Sequence, residues 1–403
     1  GHYTIDELQQ FRQWGSPTPG HPELHPERGV ENTSGPLGQG HTMAVGCAIA
    51  ERFLAARFGE WLSHKTYAFI SDGGIQEEIS QGAGRLAGHL GLSNLIMFYD
   101  SNKVQLSTMV EAVDAEDVAA KYRAWGWNVL ECNGNDPEEI AKAIVEAQGE
   151  KNRPTIIIGH TVMGRGCVKA DGSCFEGQCS THGQPLSASG ADYAATMKNL
   201  GADPENPWVI FEDVKALYEA RRAQLCEIVK ARRAEQAAWE AANPELAKEL
   251  HGYLDNKLPE IDWAAIPHKP NIASRQASAD VLGVLAEKVG NMIVSSADLA
   301  NSDKTDAFLK KTHPFVKGDF SGAFLHAGVT ELTMAAVMNG IALHGGVIGA
   351  CGTFFVFSDY MKPAVRMAAL MELPVKYIWT HDAFRVGEDG PTHEPVEQEA
   401  QLR

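Results

Sequence analysis

Short apolar runs separated by helical stretches of crossover length occur in both halves of this chain, and that alternation dictates parallel sheets covered by helices. In the first half, residues 67–70, 95–99, 129–131 and 155–159 read as strands. The stretches 76–90 and 137–148 between them carry helical periodicity. Each run is apolar on both faces, as a sheet buried on two sides requires. The second half repeats the pattern. Strands at 292–295, 347–349 and 375–379 alternate with helices around 331–343 and 360–371. The expected fold is α/β: two three-layer α/β/α units with mainly parallel sheets.

Between these blocks, residues 206–256 are rich in Ala, Glu, Lys and Arg, and 216–237 should be helical. The heptads are not sustained, so a linker helix pair is expected here rather than a coiled coil. Pro259, Pro267 and Pro270 then mark a connection. The expected division is 1–205, 206–270 and 271–403, in keeping with a 403-residue chain. Residues 1–11 read as an ordinary helix start rather than a signal peptide. At Arg403 a helix has only begun, so a chain cut at its ends is expected. The formal charge of −17 argues against a nucleic-acid partner. No apolar run approaches the roughly 20 residues that span a bilayer. Seven cysteines without framework spacing fit a reducing cytoplasm.

Ser71-Asp72-Gly73-Gly74 follows a strand and opens a helix, which puts Asp72 at the carboxyl edge of a parallel sheet, where such sheets bind ligands. The next strand runs out into Asp100-Ser101-Asn102, one β-α-β crossover later, at the same edge. A carboxylate, the Asn102 amide oxygen and the nearby Val104 carbonyl are hard ligands suited to Mg²⁺, with Ca²⁺ the alternative. The glycines let backbone approach a phosphate, and the helix N-terminus favours negative charge. Alone, Asp72 would read equally well as a helix N-cap.

The Ser71 to Asn102 stretch resembles the thiamine-diphosphate motif of transketolases, with Ser71 in place of the usual glycine. Thr18-Pro19-Gly20-His21-Pro22-Glu23 and Gly35-Pro36-Leu37-Gly38-Gln39-Gly40 look like two further transketolase signatures. Ser296-Ala297-Asp298-Leu299, Gly328-Val329-Thr330-Glu331, the run from Met367 to Met371 and Gly387-Glu388-Asp389-Gly390-Pro391-Thr392-His393 match in order. The resemblance implies a homodimer, with each active site between the diphosphate-binding unit of one subunit and the pyrimidine-binding unit of the other. It also implies that an N-terminal segment and a C-terminal domain lie outside this chain.

Further residue roles follow from the same resemblance. Gly35, Leu37, Gly73, Glu77, His182 and Asp298 would contact thiamine diphosphate. Glu331 would be the carboxyl that shares a proton with the pyrimidine ring; opening an apolar helix, it should have a raised pKa. Without the resemblance it would only complement the helix dipole. Phe354, Phe357 and Tyr360 recur at helical spacing and would stack on the pyrimidine, although such stripes are more often core. His21, His182, His381 and His393 would handle sugar hydroxyls by proton exchange, with Asp389 as a hydrogen-bond partner. Arg275 resembles the family's phosphate-binding arginine, sharing the phosphate with Ser302 and His381. His64, His89 and His344 have no such context and read as structural.

The chain departs from the family pattern at Asp303 and Lys304, at Thr330 and at Ala383-Phe384-Arg385. Cys167, Cys174 and Cys179 beside His182 offer zinc as an alternative, but they lack a Cys-x2-Cys knuckle and read as structural or incidental thiols. The activity implied is transketolase: a two-carbon ketol unit moves from xylulose 5-phosphate to ribose 5-phosphate through a thiamine-diphosphate enamine, in the pentose phosphate pathway. A dihydroxyacetone synthase and a non-catalytic paralogue are the alternatives.

Overall fold

The computed structural model describes residues 2–403. A helix, α1 (Gln39–Phe58), leads into the first sheet. Fifteen of its 20 residues are buried. Being apolar on nearly every side, it has no stripe for a periodicity argument to find, and it was not legible in the sequence. Strand β1 (Thr66–Ser71) follows, then a short turn of helix, α2 (Asp72–Gln76), and α3 (Glu78–Leu90). The single helix expected over 76–90 therefore starts at Glu78, because Glu77 is extended at φ −57°, ψ 138°. Ser71 Oγ accepts from Gly74 N and Ser80 Oγ donates to Gly74 O, so side chains replace the helical ladder at the glycine pair.

Strands β2 (Leu95–Ser101) and β3 (Asn128–Asn133), helix α4 (Pro137–Gly149) and strand β4 (Thr155–His160) complete this unit. Its sheet is wholly parallel in the order β1-β2-β4-β3. The polar middle segment forms α5 (Glu212–Ala242), with no buried residue, and α6 (Pro244–Leu254), which docks through Leu250 and Tyr253.

The second sheet is also parallel, in the order β6-β5-β7-β8. Its elements run α7 (Ser274–Lys288), β5 (Met292–Ser296), β6 (Phe324–His326), α8 (Glu331–His344), β7 (Ile348–Phe354), α9 (Ser358–Leu370) and β8 (Lys376–Thr380). Strand β6 escaped the sequence reading because three residues carry no alternation. Strand β7 runs on to Phe354 rather than ending at 349. The three aromatics expected on one helix therefore lie on a strand end, a 3₁₀ turn (Phe355–Phe357) and α9 in succession. They still share a face, because residues three apart superpose in a 3₁₀ turn.

The two sheets are joined by helix packing. A Cβ on Gly340 would fall 1.9 Å from Met43 O, and one on Gly46 would fall 2.1 Å from Val337 O. Helices α1 and α8 thus cross almost backbone to backbone, and only glycine fits at the crossing. One continuous apolar core runs from Phe53 and Leu86 through Met334 and Ile341 to Ile293 and Phe324. Arg57 fastens the same seam by donating to the carbonyls of Phe320, Ser321 and Gly322.

Candidate active site

The first group of candidate residues gathers beyond the carboxyl ends of β1 and β2. Ser71, not Asp72, caps the short helix α2, so Asp72 is free for another role. It is 2% exposed and accepts from Tyr99 Oη at 2.6 Å, from Asn102 N at 3.1 Å and from Lys103 N at 2.9 Å. Burial and the Asp72 carboxylate raise the Tyr99 phenol's pKa, which keeps it a donor. The Asn102 side-chain oxygen accepts from Val104 N at 3.0 Å, so Asp72, Asn102 and Val104 form one hydrogen-bonded turn. Lys103, inside that turn, has a positive φ of 65°.

The loops around this turn close in on it. A Cβ on Gly73 would touch Leu37 at 3.0 Å, and one on Gly38 would meet Glu77 Cβ at 2.9 Å. A Cβ on Gly35 would lie 3.4 Å from the His21 side chain. His182 follows Cys179, whose sulfur lies 3.9 Å from the Met109 sulfur in the loop after Val104. His21, Gly35, Leu37, Asp72, Gly73, Glu77, Asn102, Val104 and His182 thus lie on segments linked by these contacts. Four buried polar atoms here have no partner: Gln39 Oε1, Gln76 Nε2, Ser101 Oγ and His182 Nδ1. Each lies on or within two residues of a candidate. Buried polar atoms left without a partner are costly, and the three that can donate, Gln76 Nε2, Ser101 Oγ and His182 Nδ1, suit an anionic ligand such as a metal-bound diphosphate. The donor set fits that group.

The second group lies beyond the carboxyl ends of β5 to β8. Arg275 donates to His381 Nε2 at 2.7 Å and to the Ser302 carbonyl at 3.3 Å. A guanidinium can only donate, so Nε2 is the acceptor and the imidazole proton sits on Nδ1, facing Thr380 Oγ1 at 3.0 Å. Burial, then the Arg275 charge, lowers the His381 pKa, in agreement with a neutral ring. His381 holds a φ of 54°, and Asp298 and Lys304 are likewise left-handed at 62° and 70°. Such strain clusters where a loop's geometry matters.

The aromatic residues form a column. Phe354 and Phe357 stack at 5.9 Å, and Phe357 and Tyr360 at 6.0 Å. His381 lies 3.7 Å from Phe354, and His393 sits edge-on to Phe357 at 5.5 Å. A cavity of about 640 Å³ brings together Arg275, Ser302, Phe354, His381, Asp389 and His393. Arg385, unread as a site residue in the sequence, lines the same cavity. Only its departure from the family pattern could have drawn attention to it.

Glu331 opens α8, half-buried, and makes no side-chain hydrogen bond among the described residues. Burial raises its pKa. Asp298 lies apart from the cavity, beside Arg85, His89 and His326 in a separate cleft. No hydrogen bond, ion pair or ring contact among the described residues joins the candidates of the first group to those of the second.

Residues 2–259 match the profile of the transketolase thiamine diphosphate binding domain, and residues 270–403 that of the transketolase pyrimidine binding domain. The transketolase of Geobacillus stearothermophilus is 43% identical over 409 residues, which take in 99% of this chain and 60% of that protein. The transketolase of Bacillus subtilis is 41% identical, with the same 99% and 60% covered. Among solved structures, transketolase from Leishmania mexicana superposes with a TM-score of 0.92 at 37% identity, covering 99% of this chain and 59% of that one. A Pichia stipitis transketolase in complex with sedoheptulose-7-phosphate gives 0.92 at 38%, covering 99% and 60%. The chain spans about 60% of the length of the curated relatives it matches. With both profiles matched in order and sequence identity running through each, the chain belongs to the transketolase family.

Proposed function

We propose that this chain carries most of the active site of a transketolase that moves a two-carbon ketol unit between sugar phosphates, from xylulose 5-phosphate to ribose 5-phosphate. The observation that carries the reading is the cavity in which Arg275, Ser302, His381, Asp389 and His393 converge beside a stacked aromatic column. A guanidinium at one end suits a phosphate monoester. Arg275 grips two phosphate oxygens, with His381 and the Ser302 hydroxyl beside it. His21, His182, His393 and Asp389 contact the sugar hydroxyls, and the imidazoles hold or release protons there near neutral pH.

Thiamine diphosphate, when bound, supplies a thiazolium carbon that can act as a nucleophile. Asp72, Asn102 and the Val104 carbonyl hold a divalent cation, Mg²⁺ or Ca²⁺, on its diphosphate. Gly35, Leu37, Gly73, Glu77, His182 and Asp298 line its length, and Phe354, Phe357 and Tyr360 take its pyrimidine ring. Glu331 keeps a proton shared with the ring nitrogen, a task suited to a carboxyl whose burial favours the protonated form.

The two groups of candidates do not meet within one chain, which supports a homodimer whose sites lie between subunits. Leu37, Leu106, Val329 and Tyr360 are exposed apolar side chains on or beside the candidate loops, as a covered seam requires. No helix among the described residues is long and apolar enough to cross a membrane, and all seven cysteines are unpaired, in keeping with a place in the cytoplasm. Transfer from xylulose 5-phosphate to ribose 5-phosphate, assayed on the full-length protein with thiamine diphosphate and Mg²⁺, tests the reading. Tight cofactor binding without transfer to any aldose phosphate would overturn it.

A further inference from the structure

The loop that follows β5 presents Ser302 to Arg275, and its closure depends on one residue that departs from the family pattern. Asp303 is wholly buried, at 0% exposure. One of its oxygens accepts from Ser296 Oγ at 2.6 Å. The other accepts from Thr305 N at 2.9 Å and Thr305 Oγ1 at 2.7 Å. Ser296 is the last residue of β5, and Thr305 lies at the far end of the loop. The carboxyl group therefore ties the start of the loop to its finish. Ser296 Oγ also accepts from Leu299 N at 3.1 Å, which draws the first turn into the same knot. No ion pair to Asp303 is present among the described residues, so hydrogen bonds alone offset its desolvation. The neighbouring strand is shaped to receive it. A Cβ on Gly352 of β7 would fall 2.9 Å from the Asp303 carboxyl and 2.7 Å from Thr305 Cγ2.

The knot supports a strained stretch. Asp298 and Lys304 are both left-handed, and between them lies Ser302, whose carbonyl receives the Arg275 guanidinium. Arg275 in turn holds His381. A loop with two such residues keeps one geometry only if something fixes its ends.

We propose that Asp303 is a positioning residue for phosphate recognition: by closing the Ser296–Thr305 loop it sets the Ser302 carbonyl that aims Arg275 at the phosphate. The inference rests on the phosphate reading of Arg275 given above. The acceptor oxygens of residue 303 are what close the loop. Asp303→Asn should therefore keep the knot, because the amide oxygen still accepts from Thr305 and Ser296 Oγ can turn to accept from the amide nitrogen.

The test is calorimetric binding of inorganic phosphate to the full chain, which needs neither cofactor nor turnover. Asp303→Ala should weaken phosphate at least about tenfold, whereas Asp303→Asn should stay within about threefold of wild type. In an Arg275→Ala background, Asp303→Ala should cost nothing further, since the loop then has no guanidinium to aim. An unchanged affinity in Asp303→Ala, or an equal loss in both backgrounds, overturns the positioning role. Should Asp303→Ala not fold, Ser296→Ala cuts the same knot more gently and should weaken phosphate in the wild-type background only; no weakening overturns the proposal. A wild-type affinity that Arg275→Ala leaves untouched refutes the phosphate reading itself, and the inference falls with it.

Discussion

Replacing Asp72 separates the folding role of this carboxylate from its ligand role. The side chain is almost fully buried and accepts from three donors: the Tyr99 hydroxyl and the amides of Asn102 and Lys103. Alanine leaves all three without a partner. At roughly 1–3 kcal/mol for each buried unsatisfied group, and with water reaching some of the gap, Asp72→Ala should lose about 3–5 kcal/mol. That is a large share of the roughly 5–15 kcal/mol that holds a typical domain. Asparagine is different. Its oxygen can accept from the two amides, and Tyr99 Oη, which both donates and accepts, can turn to receive the new amide N–H. Asp72→Asn should therefore cost only about 1–2 kcal/mol and fold normally. It lacks the charge that a divalent cation requires, so metal-dependent binding of thiamine diphosphate should be lost in both variants. Urea denaturation measures the first effect, and calorimetry with thiamine diphosphate and Mg²⁺ measures the second. Wild-type cofactor affinity in Asp72→Asn would refute the ligand assignment, and wild-type stability in Asp72→Ala would refute the hydrogen-bond accounting.

Glu331→Gln should lower turnover roughly 10²-fold or more while raising stability at pH 7. Burial lifts the folded-state pKa above the ordinary 4.5, so the folded state binds more protons in that window and stability falls as pH rises through it. Glutamine removes that slope; denaturation at pH 4 and pH 7 that still shows it would disprove the account. Gly340→Ala should destabilise by about 3 kcal/mol, since its Cβ would lie 1.9 Å from Met43 O. Gly283→Ala in α7, with nothing within 4 Å, should instead gain about 0.5–1 kcal/mol. Equal thermal midpoints for the two variants would mean that the α1–α8 crossing is looser than described.

Strands β1, β2, β4, β5 and β8 were legible because each is a compact apolar run flanked by helical periodicity, and the Asp72 and Asn102 positions followed from strand ends alone. Helix α1 and strand β6 were not, the first because burial on all sides removes amphipathic contrast, the second because it is too short to show any. The phosphate end was read from a resemblance, which placed Ser302 beside the phosphate with Arg275 and His381. The structure adds that the Ser302 carbonyl is what meets Arg275.

The sequence by itself determined the parallel α/β character of both units, the polar helices between them, and which residue types stand at each strand's carboxyl end. Those are local matters, written in periodicity and turn chemistry. Only the tertiary structure decided that α1 and α8 meet at Gly46 and Gly340, that Asp303 closes a loop, and that His381 accepts from Arg275 while packing against Phe354. Each of these pairs residues far apart in the chain or fixes a side-chain direction. Such contacts depend on which elements pack together, and one-dimensional spacing does not carry that information.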